Sequence, residues 1–253
     1  MKMANIFPIL AMVSMLLING LTVEGLDASG WSAATATSSD SSANPTGGAC
    51  GYNIIDADAK YAAAVSALLF KEGQSCGQCY NIKCDSQSSS KCREGSTVTI
   101  VATSFFPPER ALPSYGSDSQ LMNEHFHLTQ SAWEEISSDD SKVVPVLYQR
   151  VPCKKQGGVQ FTINGQAYFM LVLISNVAGD GSIKSVSIRG SNSTSWVAMS
   201  RNNGANWHTN VCLKDQSISF DVTLTDGQNL KFEKVVPADW SFGQTYGSSL
   251  QFS

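Results

Sequence analysis

The spacing of the cysteines constrains this chain more than any other feature. Six of the seven fall in one part of the sequence: Cys50, Cys76, Cys79, Cys84, Cys92 and Cys153. In a secreted protein such a set is typical of disulfide bonds, whereas C-x-x-C in a cytosolic protein is typical of zinc or thiol redox chemistry. Structural zinc needs four ligands, and a second closely spaced Cys or His pair is missing from the sequence. We therefore expect disulfides and no metal, and the pairing stays open at this point.

The N-terminus indicates which compartment the cysteines meet. Lys2 precedes a mostly apolar run from Ile6 to Leu21, and Val23 and Gly25 suit a cleavage site. We therefore assign residues 1–25 to a secretory signal peptide. A membrane anchor is the alternative, but no second apolar run reaches the roughly 18–20 residues that a spanning helix needs. The prediction is a secreted, extracellular protein without an integral membrane span.

The charge pattern excludes some partners. The chain has a net charge of −4, and residues 166–253 carry six basic and six acidic side chains. This neutral half has no basic stripe, which argues against nucleic acid and against a polyanion held by charge. A neutral ligand fits better, and we expect no cofactor and a monomer.

Secondary-structure patterns divide the chain near Asn164. Residues 26–46, rich in Ser, Ala and Thr, are expected to form an extended N-terminal segment. Short helices are predicted at 59–70 and 128–137, and strands at 96–106, 143–152 and 159–163, the last ending in an Asn164-Gly165 turn. After this turn, short strands alternate with turns, as in a β-sandwich. The prediction is an all-β chain with a barrel-like domain over 47–163 and a disulfide-free sandwich over 166–253.

The seventh cysteine is left over. Cys212 lies in a strand-like run far from the other six. We expect a buried free thiol, with an intermolecular disulfide as the alternative.

Several longer motifs resemble those of the α-expansins, plant proteins that loosen cell walls. The matching pieces are GGACGY (47–52), SCGQCYNIKC (75–84), RVPCKKQGGVQFTINGQAYFMLVLISNV (150–177), MSRNNGANW (199–207) and ADWSFGQTY (238–246). The resemblance implies a six-stranded double-psi β-barrel of the endoglucanase type, followed by an immunoglobulin-like β-sandwich that binds carbohydrate. It also implies the disulfides Cys50–Cys76, Cys79–Cys153 and Cys84–Cys92.

The chain departs from the family pattern in the groove of the barrel. The family's His-Phe-Asp reads His125-Phe126-His127, and its Thr-Phe-Tyr reads Thr37-Ser38-Ser39. Inverting endoglucanases need a carboxylic acid and a carboxylate base, and an imidazole cannot supply that pair. We therefore predict that Thr37, His125 and His127 form a degenerate groove and that the protein is not an enzyme. Glycoside hydrolysis is the alternative enzymatic interpretation.

A second departure concerns a disulfide. The family's Phe-Cys-Pro-Pro reads Phe105-Phe106-Pro107-Pro108, and the segment 116–122, which would hold the partner cysteine, has none. Both members of the pair are therefore absent together. We expect a more mobile loop, because this cross-link no longer restricts its unfolded ensemble.

Aromatic side chains in the sandwich are the candidates for binding polysaccharide, since sugar CH groups pack on flat rings. Tyr168 and Trp207 are expected at the surface, and Trp196 fits the surface or the core equally. Strand alternation places Tyr168 with Met170 on one face. Asn203 stands where the family usually has a tryptophan. Asn192-Ser193-Thr194 is an N-glycosylation sequon.

Two functions are consistent with these residues. The first is a wall protein that loosens and extends cell walls without catalysis, by disrupting non-covalent contacts between cellulose and matrix glucans such as xyloglucan. The second is a cellulose-binding wall protein whose degenerate barrel has little or no loosening activity.

Overall fold

A computed structural model describes residues 30–38, 48–52, 60–107, 123–137, 143–166 and 168–253. The predicted signal peptide, Ser39 and the segment 116–122 lie outside these residues. The all-β class is confirmed, since two short α-helices, α1 (Ala67–Phe70) and α2 (Gln130–Ile136), accompany fifteen strands in the described part of the chain.

The first six strands close into a barrel in the order β1-β5-β2-β4-β3-β6. Their bounds are β1 Ser32–Ser38, β2 Ala62–Val65, β3 Cys79–Cys84, β4 Val98–Phe105, β5 His125–Leu128 and β6 Val144–Val151. Side chains alternate along each strand, so every second residue fills the interior. Ile82, Ile100, Phe126 and Leu128 are fully buried there. Helix α2 adds Trp133 and Ile136 to the same core.

Two antiparallel sheets form the sandwich, a four-stranded one (β10-β9-β13-β14) and a five-stranded one (β11-β12-β8-β7-β15). The strands are β7 Gln160–Gln166, β8 Phe169–Ser175, β9 Ile183–Gly190, β10 Val197–Ala198, β11 Ser200–Arg201, β12 Asn206–Thr209, β13 Ile218–Leu224, β14 Asn229–Val236 and β15 Gln244–Gly247. Phe161 and Phe220 stack across the two sheets at 4.5 Å between ring centroids. Both rings belong to one continuous apolar core.

Three boundaries predicted from the sequence are wrong. The segment 26–46 supplies β1, which is a strand of the barrel rather than a separate extension. The helix predicted at 59–70 is limited to Ala67–Phe70, because the alanines before it pair with β4 and β5 as strand β2. Strand β7 starts at Gln160 and continues through the expected Asn164-Gly165 turn, so the sandwich begins before residue 163.

Three disulfides link Cys50 to Cys76, Cys79 to Cys153 and Cys84 to Cys92. These are the pairs that the family resemblance implies. Cys212 is a free thiol but is exposed, which corrects the expectation of a buried one. It lies between β12 and β13 instead of in a strand, so the alternation of a strand does not direct its side chain into the core.

Arg201 holds the barrel and the sandwich together. Its guanidinium donates to the carbonyl oxygens of Gly204 (2.7 Å) and Ile183 in the sandwich, and to that of Gly73 (3.4 Å) in the barrel. It also lies 4.4 Å from the centroid of the Trp207 ring. Burial lowers the pKa of Arg201, but an arginine stays charged at neutral pH. This half-buried cation therefore draws its hydrogen-bond acceptors from both domains.

The backbone approaches closely at the same interface. The N–H of Ala205 donates to the carbonyl oxygen of Cys50 at 3.0 Å, and Cys153 and Gly179 exchange two backbone hydrogen bonds. A Cβ on Gly204 would lie 2.3 Å from the oxygen of Ala49. Only a residue without a side chain fits between the domains at this point.

Replacing Gly204 with alanine tests this packing. Gly204→Ala and Gly227→Ala share the cost of a positive φ (+57° and +93°), but a Cβ on Gly227 meets nothing within 4 Å. Overpacking typically costs about 1–3 kcal/mol, so we expect Gly204→Ala to lower the free energy of unfolding by about that much more than Gly227→Ala. Urea unfolding with intact disulfides measures both values. Equal losses would contradict the close interdomain contact.

Candidate functional site

Two histidines and two threonines form a hydrogen-bonded row on neighbouring strands of the barrel. Strands β1 and β5 run parallel, with Thr35 opposite His125 and Thr37 opposite His127. The Thr35 hydroxyl lies 2.8 Å from Nδ1 of His125, and the Thr37 hydroxyl lies 2.9 Å from Nε2 of the same ring. The Thr37 hydroxyl also lies 2.8 Å from Nδ1 of His127. The three groove residues predicted from the sequence are thus in direct contact, and Thr35 joins them.

This row forms one side of what we call the barrel groove, which consists of Thr35, Thr37, His125, His127 and Phe106. The Phe106 ring lies on both imidazoles, with its centroid 4.8 Å from that of His127 and 5.1 Å from that of His125. Strand β2 separates β4 from β5, and its Ala64 lies beside His127. A methyl group at this position leaves room for the ring to reach across the strand.

His125 is held in its neutral form. Burial, and secondarily the nearby His127, lower the pKa of His125 to about 4. A neutral imidazole has one donor and one acceptor nitrogen, which matches its two threonine partners. The groove therefore presents hydroxyl and imidazole groups, which can hydrogen-bond to a sugar but do not reproduce a pair of carboxylates.

The lowered pKa of His125 predicts a pH-dependent stability. The unfolded imidazole binds a proton near pH 6.5 and the folded one near pH 4. The contribution of the neutral His125 ring to the free energy of unfolding is therefore complete above pH 6.5. As the pH falls toward 4, the free energy of unfolding decreases by about 1–3 kcal/mol. In His125→Gln, which keeps a donor and an acceptor but does not titrate, the decline should be smaller. Urea unfolding at several pH values decides this, and an equal decline in wild type and variant would contradict it.

The three aromatic residues predicted to bind polysaccharide do not share a surface. Tyr168 is 76% exposed and lies in the turn before β8, so alternation does not pair it with the buried Met170. Trp196 is half-buried and precedes β10, on the other sheet. The guanidinium of Arg189 lies 4.4 Å from its ring centroid.

Trp207 is buried and belongs to the sandwich core, so its prediction as a surface residue is wrong. It lies opposite Val172, another core residue, in the register of β12 and β8. Alternation turns the neighbouring residue outward. The outward residue of this strand is therefore His208.

The structure shows a different candidate surface on the five-stranded sheet. Phe169 and His208 stack at 5.5 Å between centroids and 28° between planes, and Leu171 lies opposite His208 in the register. All three are half-buried, while the alternate residues Met170 and Val172 lie in the core. We call Phe169, Leu171 and His208 the sandwich platform. The sequence contained a signal for this surface, because the residues that alternate with the buried ones along a strand point outward.

The remaining predicted residues have simple surroundings. Asn192 is exposed in the turn after β9, where a glycan would be accessible. Asn203 is also exposed, and its carbonyl oxygen accepts from the Asn206 N–H at 3.0 Å.

Within the described ranges, no group of three or more His, Cys, Asp or Glu side chains is placed to hold a metal ion. None of the described helices has the length and apolar character needed to span a membrane.

This architecture defines a class of two-domain protein, in which a double-psi β-barrel is followed by an immunoglobulin-like sandwich. Family models match each domain: the lytic transglycolase model matches residues 62–148, and the expansin C-terminal domain model matches residues 159–237. A mutant Clavibacter michiganensis expansin, solved in complex with cellohexaose, has the same fold. Its TM-score is 0.68 at 15% identity, with 88% of this chain and 98% of that chain covered.

Sequence relatives identify the family. Expansin-A13 of Oryza sativa subsp. japonica is 47% identical over 237 residues, covering 91% of this chain and 90% of its own length. Expansin-A25 of the same plant is 45% identical over the full length of both chains. Expansin-A12 of Arabidopsis thaliana is 43% identical, covering 92% of this chain and 93% of its own. The chain belongs to the expansin family.

Proposed function

We propose that this chain is a secreted plant cell-wall protein that loosens walls without cleaving a covalent bond. It binds cellulose and a matrix glucan such as xyloglucan as a monomer, and it disrupts the contacts between them. The free energy for disrupting these contacts comes from wall tension and from the difference in the protein's binding to the loosened and unloosened states of the wall. Membership of the expansin family supports the role in wall loosening.

The observation that carries the non-enzymatic part is the hydrogen bond between Thr37 and His127. In this bond an imidazole stands in the row where an endoglucanase-like barrel would need an acid, and one of its partners is the Thr37 hydroxyl. An imidazole can transfer a proton, but inverting hydrolysis needs a second, separate carboxylate to activate water. The groove is therefore suited to holding a glucan chain rather than to cutting it.

The sandwich platform supports the binding part of the proposal. The stacked rings of Phe169 and His208 offer an apolar surface to sugar CH groups, while polar side chains around them can reach hydroxyls. Asn164 faces the same way as Leu171, its partner on β7. Since residues 166–253 have no net charge, binding should depend little on salt. The cellohexaose complex of the bacterial relative is consistent with this choice of ligand.

A second candidate function is adhesion to cellulose without loosening. The replacement of the acid by His127 favours it, because an altered groove can keep its affinity and lose the ability to displace a matrix glucan. The two candidates differ only in wall extension.

Creep of heat-inactivated plant walls under constant load tests the proposal. We expect the purified wild-type protein to extend the walls in mildly acidic buffer with no release of reducing sugars. Creep with sustained sugar release would contradict the non-enzymatic mechanism. Cellulose binding without creep, together with creep by a His127→Asp variant, would establish the second candidate instead.

Cellulose pull-down isotherms locate the binding surface with two matched aromatic variants. Phe169→Ala removes the platform ring, and a stacking contact worth about 0.5–1.5 kcal/mol corresponds to roughly a two- to tenfold loss of affinity. Trp196→Ala is the control, because Trp196 lies on the opposite sheet and its ring is covered by Arg189. If only Trp196→Ala weakened binding, the surface would lie on the four-stranded sheet.

A further inference from the structure

The ring of Phe106 occupies a defined position in the barrel groove. It directly follows strand β4, and its backbone N–H donates to the carbonyl oxygen of Val65 at 2.9 Å. The preceding ring, Phe105, lies against Phe70 of helix α1 at 5.3 Å between centroids. Successive side chains of an extended chain point in opposite directions, so Phe106 points toward the two imidazoles. Its position is therefore set by the backbone and by the neighbouring strand together.

The ring lies nearly parallel to one imidazole and tilted on the other. The interplanar angle is 27° to His127 and 36° to His125. Both imidazoles are fixed by threonine hydroxyls at 2.8–2.9 Å. A rigid polar support thus holds an aromatic ring in place, and the ring loses little further freedom when a ligand packs on it.

Phe106 is only half-buried, so part of its surface remains accessible. An apolar ring next to fixed hydroxyl and imidazole groups is the combination that a pyranose requires: its CH groups pack on the ring and its hydroxyl groups find donors and acceptors. Because His125 is neutral, this ring adds no charge that would favour a charged sugar over a neutral one.

We propose that Phe106 is a sugar-stacking residue of the barrel groove and that its ligand is a neutral β-1,4-linked glucan chain. This inference rests on the proposed function, because it takes its ligand class from there. It adds a second aromatic contact, in the other domain from the sandwich platform. A ring that only closed the groove would hinder glucan binding instead. Phe106→Leu distinguishes the two roles, because it should lower the affinity for glucan if the ring stacks on the sugar and should not lower it if the ring closes the groove.

The histidines make the two surfaces separately observable. The chain contains three of them: His125 and His127 lie under the Phe106 ring, and His208 lies in the sandwich platform. NMR of histidine-labelled full-length protein during titration with cellohexaose would report each surface through its own imidazole resonances. Single His→Gln variants assign the three signals.

Three variants test the role of the ring. Phe106→Leu keeps an apolar side chain but removes the aromatic face, Phe106→Trp keeps an aromatic face, and Phe105→Leu is the matched control one residue earlier. We expect cellohexaose to shift the His125 and His127 signals in the wild type. The apparent affinity from these signals should fall roughly two- to tenfold in Phe106→Leu and stay near the wild-type value in Phe106→Trp and Phe105→Leu. The His208 response should not change.

Other outcomes contradict the inference and separate it from the proposed function. Equal or tighter binding in Phe106→Leu would mean that the ring is a spectator or closes the groove. A response at His208 without one at His125 and His127 would also overturn the inference and would leave glucan binding by the sandwich intact. If none of the three signals moved and the wild type failed to bind cellulose, the proposed function itself would be wrong.

Discussion

The two halves of this protein are joined by a half-buried cation whose acceptors come from both. Arg201 donates to backbone oxygens of the sandwich and of the barrel, and its guanidinium packs on Trp207. A hydrogen bond to a charged group typically contributes about 1.5–3 kcal/mol, and the partial exposure of the Arg201 side chain reduces this contribution. The arrangement of the two domains is therefore part of the folded state and is not set by a flexible linker.

This interface also connects the two candidate surfaces. Leu173 points outward from β8 in the same row as Phe169 and Leu171, but it is buried against the Cys50–Cys76 disulfide. Phe70 packs on the same cluster, and its ring lies against that of Phe105, the neighbour of Phe106 in the barrel groove. A chain of side-chain contacts thus connects the platform with the groove.

The sequence predicted those parts of the fold that have a strong local pattern. The β-branched run at 96–106 is strand β4, and the amphipathic 128–137 contains helix α2. Strand β1 has only alanine, serine and threonine side chains, which give a weak strand signal, so the segment was expected outside the barrel. The alanines of β2 favour a helix by propensity, but pairing with two neighbouring strands decides their conformation.

Site residues that belong to a sequence motif could be predicted. Residues that reach the site through the pairing of distant strands could not. Thr37, His125 and His127 were identified from motifs, and the structure brings them together. Alternation alone does not say which face of a strand is buried, so Trp207 was expected outside and His208 was missed. Phe106 reaches the imidazoles only because β4 and β5 flank the same short strand, a relation that no local pattern contains.

Differential scanning calorimetry of the full-length protein with intact disulfides measures whether the interface makes one cooperative unit of the two domains. We expect a single transition whose calorimetric and van't Hoff enthalpies agree. In Arg201→Met, which removes the shared cation, we expect the transition to separate into two. Two independent transitions in the wild-type protein, or an unchanged single one in Arg201→Met, would contradict this expectation.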